Sequence, residues 1–114
     1  MSNRRWLQVT LLALAMVTAG IARASSPSFD CHKAKKWSDM MVCGNPNLAD
    51  LDGKVDKAYR KAQRSLSPKD AQQVREVQQA WLRGREKCQE DSDPVKCLHT
   101  YYERRIKEIV QPGE

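Results

Sequence analysis

The side chains in this sequence best able to do chemistry are four cysteines, Cys31, Cys43, Cys88 and Cys97, with His32 and His99 close beside two of them. Thiols and imidazoles together could hold zinc, exchange disulfides, or supply a nucleophile and its base. Each use has its own spacing. Structural zinc sites bring ligands in close pairs about two to four residues apart, whereas Cys31 and Cys43 are twelve residues apart and Cys88 and Cys97 nine. Redox dithiols favour Cys-x-x-Cys in a βαβ setting, and the chain has neither. A Gly-rich phosphate loop, a Gly-x-Ser-x-Gly and an acid pair in an evident cleft are also missing, so nothing can be assigned as nucleophile and base. Glu86 and Glu90, four apart, read as a solvated helix face. The expectation is a protein that is not an enzyme, with no cofactor and no metal site, in which the cysteines are staples.

Staples need an oxidising compartment, and the N-terminus points to one. Arg4 and Arg5 precede an apolar run from about Leu7 to Ala22, and Ala22-Arg23-Ala24 supplies the small residues of a cleavage site. This reads as a secretory signal peptide over residues 1–24, cleaved after Ala24. The run is interrupted by Gln8 and Thr10, which argues against a membrane anchor. A lipid anchor is not expected either, because Cys31 follows Ser28-Phe29-Asp30 rather than a small-residue box. Removing Arg4, Arg5 and Arg23 leaves 17 Lys and Arg against 14 Asp and Glu, so the formal charge falls from +6 to +3. Residues 25–114 then form one domain, small enough that covalent staples would be useful, and all four cysteines lie within it.

The elements that must position these cysteines are helical. A short first helix over about 33–42 would carry Ala34, Trp37 and Met41 on one side, with Gly44 ending it in the left-handed conformation. Asn45-Pro46 then caps and starts a second helix, along which Leu48, Leu51, Val55, Ala58, Tyr59, Ala62 and Leu66 recur at steps of three and four. Ser67-Pro68-Lys69-Asp70 starts a third, so the connection is short and the two helices run antiparallel. The third helix is expected to reach about Gln89 with Val74, Val77, Trp81 and Cys88 inward, Gly84 admitting a close neighbour. Asp91-Ser92-Asp93-Pro94 repeats the cap signal for a fourth, with Val95, Leu98, Tyr102, Ile106 and Ile109 on one face until Pro112-Gly113. Period-2 alternation is lacking throughout residues 25–114. The fold class is therefore all-α: a small antiparallel bundle of three main helices plus a short N-terminal one, stapled by two disulfides.

If the helices alternate up and down, all four thiols gather at one pole. The simplest pairing joins neighbours, Cys31 with Cys43 and Cys88 with Cys97, while the other two pairings of four cysteines stay open. Trp81 and Arg85, one turn apart, continue the inward stripe, and Arg85 is expected to stack on an aromatic or meet a carboxylate inside the bundle. Lys54, Lys57, Lys61 and Arg64 could line a helix, but Asp50, Asp52 and Asp56 dilute them, and a domain of +3 lacks the footprint of nucleic-acid binding.

Taken in order, Ser28-Phe29-Asp30-Cys31, a second cysteine twelve residues on, Asn45-Pro46-x-Leu48-x-x-Leu51-Asp52, Ala58-Tyr59, Gln79-Ala80-Trp81-Leu82-x-x-Arg85-Glu86-x-Cys88, Cys97 and Tyr102-x-x-Arg105 resemble the N-terminal domain of the LprI-type lysozyme inhibitor family. The resemblance implies a disulfide-bonded helical protein of the bacterial cell envelope, periplasmic or secreted, and for the namesake inhibition of lysozyme. It marks Leu48, Leu51, Asp52, Tyr59, Trp81, Arg85, Tyr102 and Arg105 as motif positions, mainly structural. Two departures stand out. The namesake is a lipoprotein with a further C-terminal region, whereas this chain is expected to be soluble and to end with the domain, and Trp37-Ser38 stands where members often open the first helix with proline. The expected partner is a lysozyme-like protein, bound by a monomer. Because animal-type lysozymes are basic and this domain is +3, binding is expected to use a local patch, for which Glu90, Asp91 and Asp93 are the candidates, or to insert a loop into the sugar cleft. The alternative is a non-inhibitory periplasmic protein: partner-binding, immunity-type or tied to envelope stress.

Overall fold

The computed structural model of this chain describes residues 26–110, and among them proline and a capping side chain open three of the four α-helices. The expected signal peptide and the Pro112-Gly113 stop lie outside the described residues. The helices are α1 (Trp37–Gly44), α2 (Pro46–Ser65), α3 (Pro68–Gly84) and α4 (Pro94–Val110), with 3-10 turns at Cys31–Lys33 and Arg85–Glu90. Asn45 Oδ1 accepts from the backbone N–H groups of Asn47 (3.0 Å) and Leu48 (3.2 Å), Ser67 Oγ from that of Asp70 (3.2 Å), and Asp93 Oδ1 from that of Lys96 (3.1 Å). Each cap satisfies amide donors that a helix start leaves without a partner in the helix.

Gly44 does not end α1 in the left-handed conformation. It stays helical, and Asn45 leaves the helix extended at φ −133° and ψ 110°, serving at once as the exit of α1 and the cap of α2. At its other end α1 has no cap from Lys36. That role falls to Glu86, whose Oε2 accepts from the Ser38 N–H (3.4 Å) and whose Oε1 accepts a short bond from the Ser38 hydroxyl. A carboxylate at a helix N-terminus also meets the positive end of the helix dipole. Glu86, read from sequence as solvated, is instead half-buried and joins α1 to the segment after α3.

The third helix also differs from expectation. Its inward stripe is Ala71, Val74, Gln78, Trp81 and Arg85, while Val77 is 48% exposed. Gln78 takes the inward slot because its Oε1 accepts from Arg105 Nε (2.8 Å), a buried guanidinium that a valine could not satisfy. After Gly84 the chain tightens to a 3-10 turn, and its three-residue repeat buries Arg85 and Cys88 together. Helix α2 is the centre of the bundle, packed on α1, α3 and most extensively on α4. Tyr102, Leu48, Leu98, Val42 and Val55 are the largest of the fully buried side chains, each aliphatic one worth about 1.5–3 kcal/mol of burial. Both disulfides join neighbours in the chain, Cys31 to Cys43 and Cys88 to Cys97. No strand occurs among the described residues, and no helix there is long and apolar enough to cross a membrane.

Candidate functional site

Polar side chains buried inside so small a bundle are costly unless paired, and here they are paired with one another. Asp52 is 4% exposed on α2. Its Oδ2 accepts from the Ser28 N–H (2.7 Å) and hydroxyl (2.6 Å), and its Oδ1 from the Tyr102 hydroxyl (2.8 Å). That hydroxyl in turn accepts from Arg85 Nη1 (2.7 Å), while Arg85 Nη2 reaches Asp39 Oδ1 (3.1 Å) and Nε the Leu82 carbonyl (3.2 Å). The guanidinium lies 5.6 Å from the Trp81 ring centroid and 5.9 Å from that of Tyr102. One relay thus ties the N-terminal segment, α2, α4, the 3-10 turn and α1. Burial alone would lower the pKa of Arg85, but Tyr102 and Asp39 together raise it. Burial likewise raises the pKa of Tyr102, with Arg85 opposing and Asp52 reinforcing the shift. Both groups keep their protons at any physiological pH. Every buried side-chain nitrogen and oxygen among the described residues has a partner, so this relay is a tie between helices.

The motif positions distribute accordingly. Asp52, Trp81, Arg85 and Tyr102 meet in the relay, Leu48 and Leu51 are buried in the core, Tyr59 packs half-buried against it, and Arg105 joins Gln78 and Glu108 (3.3 Å). Sequence reasoning missed Ser28, Ser38, Asp39 and Glu86. Short polar residues outside the helical stripes carry no periodic signal.

The exposed chemistry lies elsewhere. Glu90, the last residue of the 3-10 turn, and Asp91 and Asp93, on its connection to α4, are all exposed. The connection is closed by the Cys88–Cys97 disulfide and stiffened where Asp91 Oδ1 accepts from the Asp93 N–H (2.9 Å). Beside it an open groove of about 520 Å³ is lined by Asp91, Asp93, Lys96, Thr100, Tyr101 and Arg104. A smaller depression of about 250 Å³ continues from Thr100 and Arg104 to Glu103 and Lys107. No cluster of metal-ligating side chains occurs among the described residues.

This arrangement of disulfides, buried aspartate and Trp-Leu-x-x-Arg turn can be set beside known proteins. A family model described as lysozyme inhibitor LprI matches residues 31–109. The chain belongs to the LprI lysozyme inhibitor family. The matched span holds both disulfides and the relay from Asp52 to Asp39, whereas Ser28 lies just ahead of it. The chain is also similar to proteins named Lipoprotein LprI from Mycobacterium bovis and Mycobacterium tuberculosis, 28% identical over 112 residues, covering 92% of this chain and 55% of each relative. It therefore spans about half the length of the curated relatives it matches. No solved structure matches it. The family is described as one of lysozyme inhibitors, a kind of protein that binds rather than transforms.

Proposed function

We propose that this chain is an exported cell-envelope protein that binds and inhibits a lysozyme-like peptidoglycan glycosidase, without chemistry of its own. Family membership supports the activity, and the disulfides with the sequence of residues 1–24 support export and cleavage to a domain of residues 25–114. The observation that carries the reading is the acidic connection. Glu90, Asp91 and Asp93 are exposed, closed into a loop by Cys88–Cys97 and pinned by local hydrogen bonds, so little ordering is required on binding. Local acids are what a +3 domain needs against a basic enzyme, since net charge gives no steering toward it. The large exposed apolar side chains Met40, Val77, Val95 and Val110 fall on three different helices, a distribution that does not favour a hydrophobic partner.

The test is lysis of cell-wall suspensions by animal-type, goose-type and bacterial lysozymes, with the oxidised protein, a reduced and alkylated sample, and the variant Glu90→Lys/Asp91→Lys/Asp93→Lys. Stoichiometric inhibition lost in both controls is expected. A folded, oxidised sample that inhibits none of the enzymes would refute the reading, and unchanged inhibition by the triple variant would remove the acidic connection from it. Mass spectrometry of the exported form should find Ser25 as its first residue.

A further inference from the structure

The groove along α4 starts at the acidic connection, at Asp91 and Asp93, but the rest of its wall is built from α4 residues that binding an enzyme at those acids does not use. One wall is Tyr101, whose ring stacks on Trp81 at 5.3 Å between centroids and 19° between planes, and whose hydroxyl donates to the Trp81 carbonyl (3.1 Å). Gly84 makes room for it, since a Cβ there would overlap the Tyr101 hydroxyl. The ring is thus held on one side and fixed at its tip, a flat surface set into a polar groove. Lys96, Arg104 and Lys107 follow along the same helix, and none makes an ion pair among the described residues, whereas Glu103 is occupied by His99 Nδ1 (2.5 Å). Arg104 is near enough for its charge to bear on the Tyr101 hydroxyl. Thr100 adds a hydroxyl between the cations, and Asp91 and Asp93 line the end of the groove that meets the acidic connection.

An aromatic wall with a few convergent hydrogen-bonding groups suits a hydroxyl-rich ring, and unpaired cations spaced along a helix suit carboxylates. The net charge of +3 for residues 25–114 favours an anionic ligand along the cations of α4. We infer that the α4 groove binds an acidic glycan, the carboxylated amino-sugar strand of the cell wall itself. Lys96 and Arg104 meet its carboxylates, and Tyr101 packs against a sugar face. The protein would then be held on the polymer that it protects, with the acidic connection at the edge of the bound strand. This goes beyond inhibition of an enzyme and does not depend on it.

The full exported protein is cosedimented with purified insoluble cell walls, with walls whose carboxylates have been amidated, and with chitin, a neutral polymer. Two double variants of equal charge change are compared, Lys96→Glu/Arg104→Glu in the groove and Lys57→Glu/Lys61→Glu on α2, whose cations also lack ion pairs among the described residues. The groove variant is expected to weaken binding about tenfold and the α2 variant less than about threefold, with amidated walls and chitin binding as poorly as the groove variant. Equal losses in the two variants, or undiminished binding to amidated walls, would overturn the inference, as would displacement by polyaspartate as effective as by soluble wall fragments. Hydrolysis of a small neutral chito-oligosaccharide separates the two proposals. Inhibition there with no wall binding would sink the glycan site and leave the inhibitor, and wall binding without such inhibition would do the reverse.

Discussion

Replacing Asp52 by alanine removes the acceptor on which the relay converges. Three donors lose it, and their fates differ. The Ser28 N–H and hydroxyl belong to an exposed residue and can return to water, so their loss costs about 1 kcal/mol. The Tyr102 hydroxyl is fully buried; it would still accept from Arg85 but would have nowhere to donate, a penalty of about 1–3 kcal/mol. With the small void left behind, the variant should lose about 3–4 kcal/mol, a large share of the roughly 5–15 kcal/mol that a domain possesses. At about 4 °C per kcal/mol for a domain of this size, the melting temperature should fall by at least about 12 °C. Guanidinium unfolding of the oxidised protein should show a lower midpoint with an unchanged slope. A cycle with Tyr102→Phe isolates the tie. Phenylalanine has no donor to strand, so the double variant should be less destabilised than the sum of the single ones by about 1–2 kcal/mol. A loss under about 1 kcal/mol, additive with Tyr102→Phe, would show that the relay does not hold the helices together.

Gly84→Ala should destabilise by about 2 kcal/mol in spite of alanine's better helix propensity, because Tyr101 must leave the Trp81 carbonyl; thermal melts measure this, and a neutral or stabilised variant would be at odds with the packing. Removing the Cys88–Cys97 bond with a double serine variant should cost roughly 2–3 kcal/mol on the chain-entropy estimate for a loop of this length, read by urea unfolding beside the wild type. Alkaline pH should weaken the fold through Tyr102 and Tyr101, whose pKa values are raised above the ordinary 10.0 mainly by burial. Below pH 10 neither state ionises them; above it the unfolded chain ionises first, so stability falls with pH by at most about 1.4 kcal/mol per unit for each tyrosine. Unfolding at stepped pH from 9 upward, with Tyr102→Phe reducing the slope, checks the sign.

The repetitive part of this structure was legible in the sequence. Caps at Asn45, Ser67 and Asp93, each followed by proline, marked three helix starts, and three- and four-residue steps gave the faces of α2 and of α4 from Leu98 onward, whereas Val95, in the first turn of α4, is exposed. The neighbour pairing of the cysteines and an Arg85 held by aromatics and a carboxylate were among the expectations that the structure shows. What escaped were contacts between elements made by residues off the stripes. Val77 looks like core until Gln78 is seen holding Arg105, and Glu86 looks like solvent-facing charge until a 3-10 turn places it on α1. A helical period cannot foresee where the helix itself changes pitch. Tyr101 escaped for a related reason, since its importance depends on Gly84 and Trp81 of another helix.

The first cysteine is bonded to the second and the third to the fourth, across only twelve and nine residues. An oxidase that joined thiols in the order they emerged from a translocation channel would therefore make both native bonds, with no later exchange by an isomerase. The same locality leaves α2 and α4, the principal helix pair, without a covalent link. The bundle can thus open along that seam with both bonds intact, so oxidation state and folded state are separable properties of this protein.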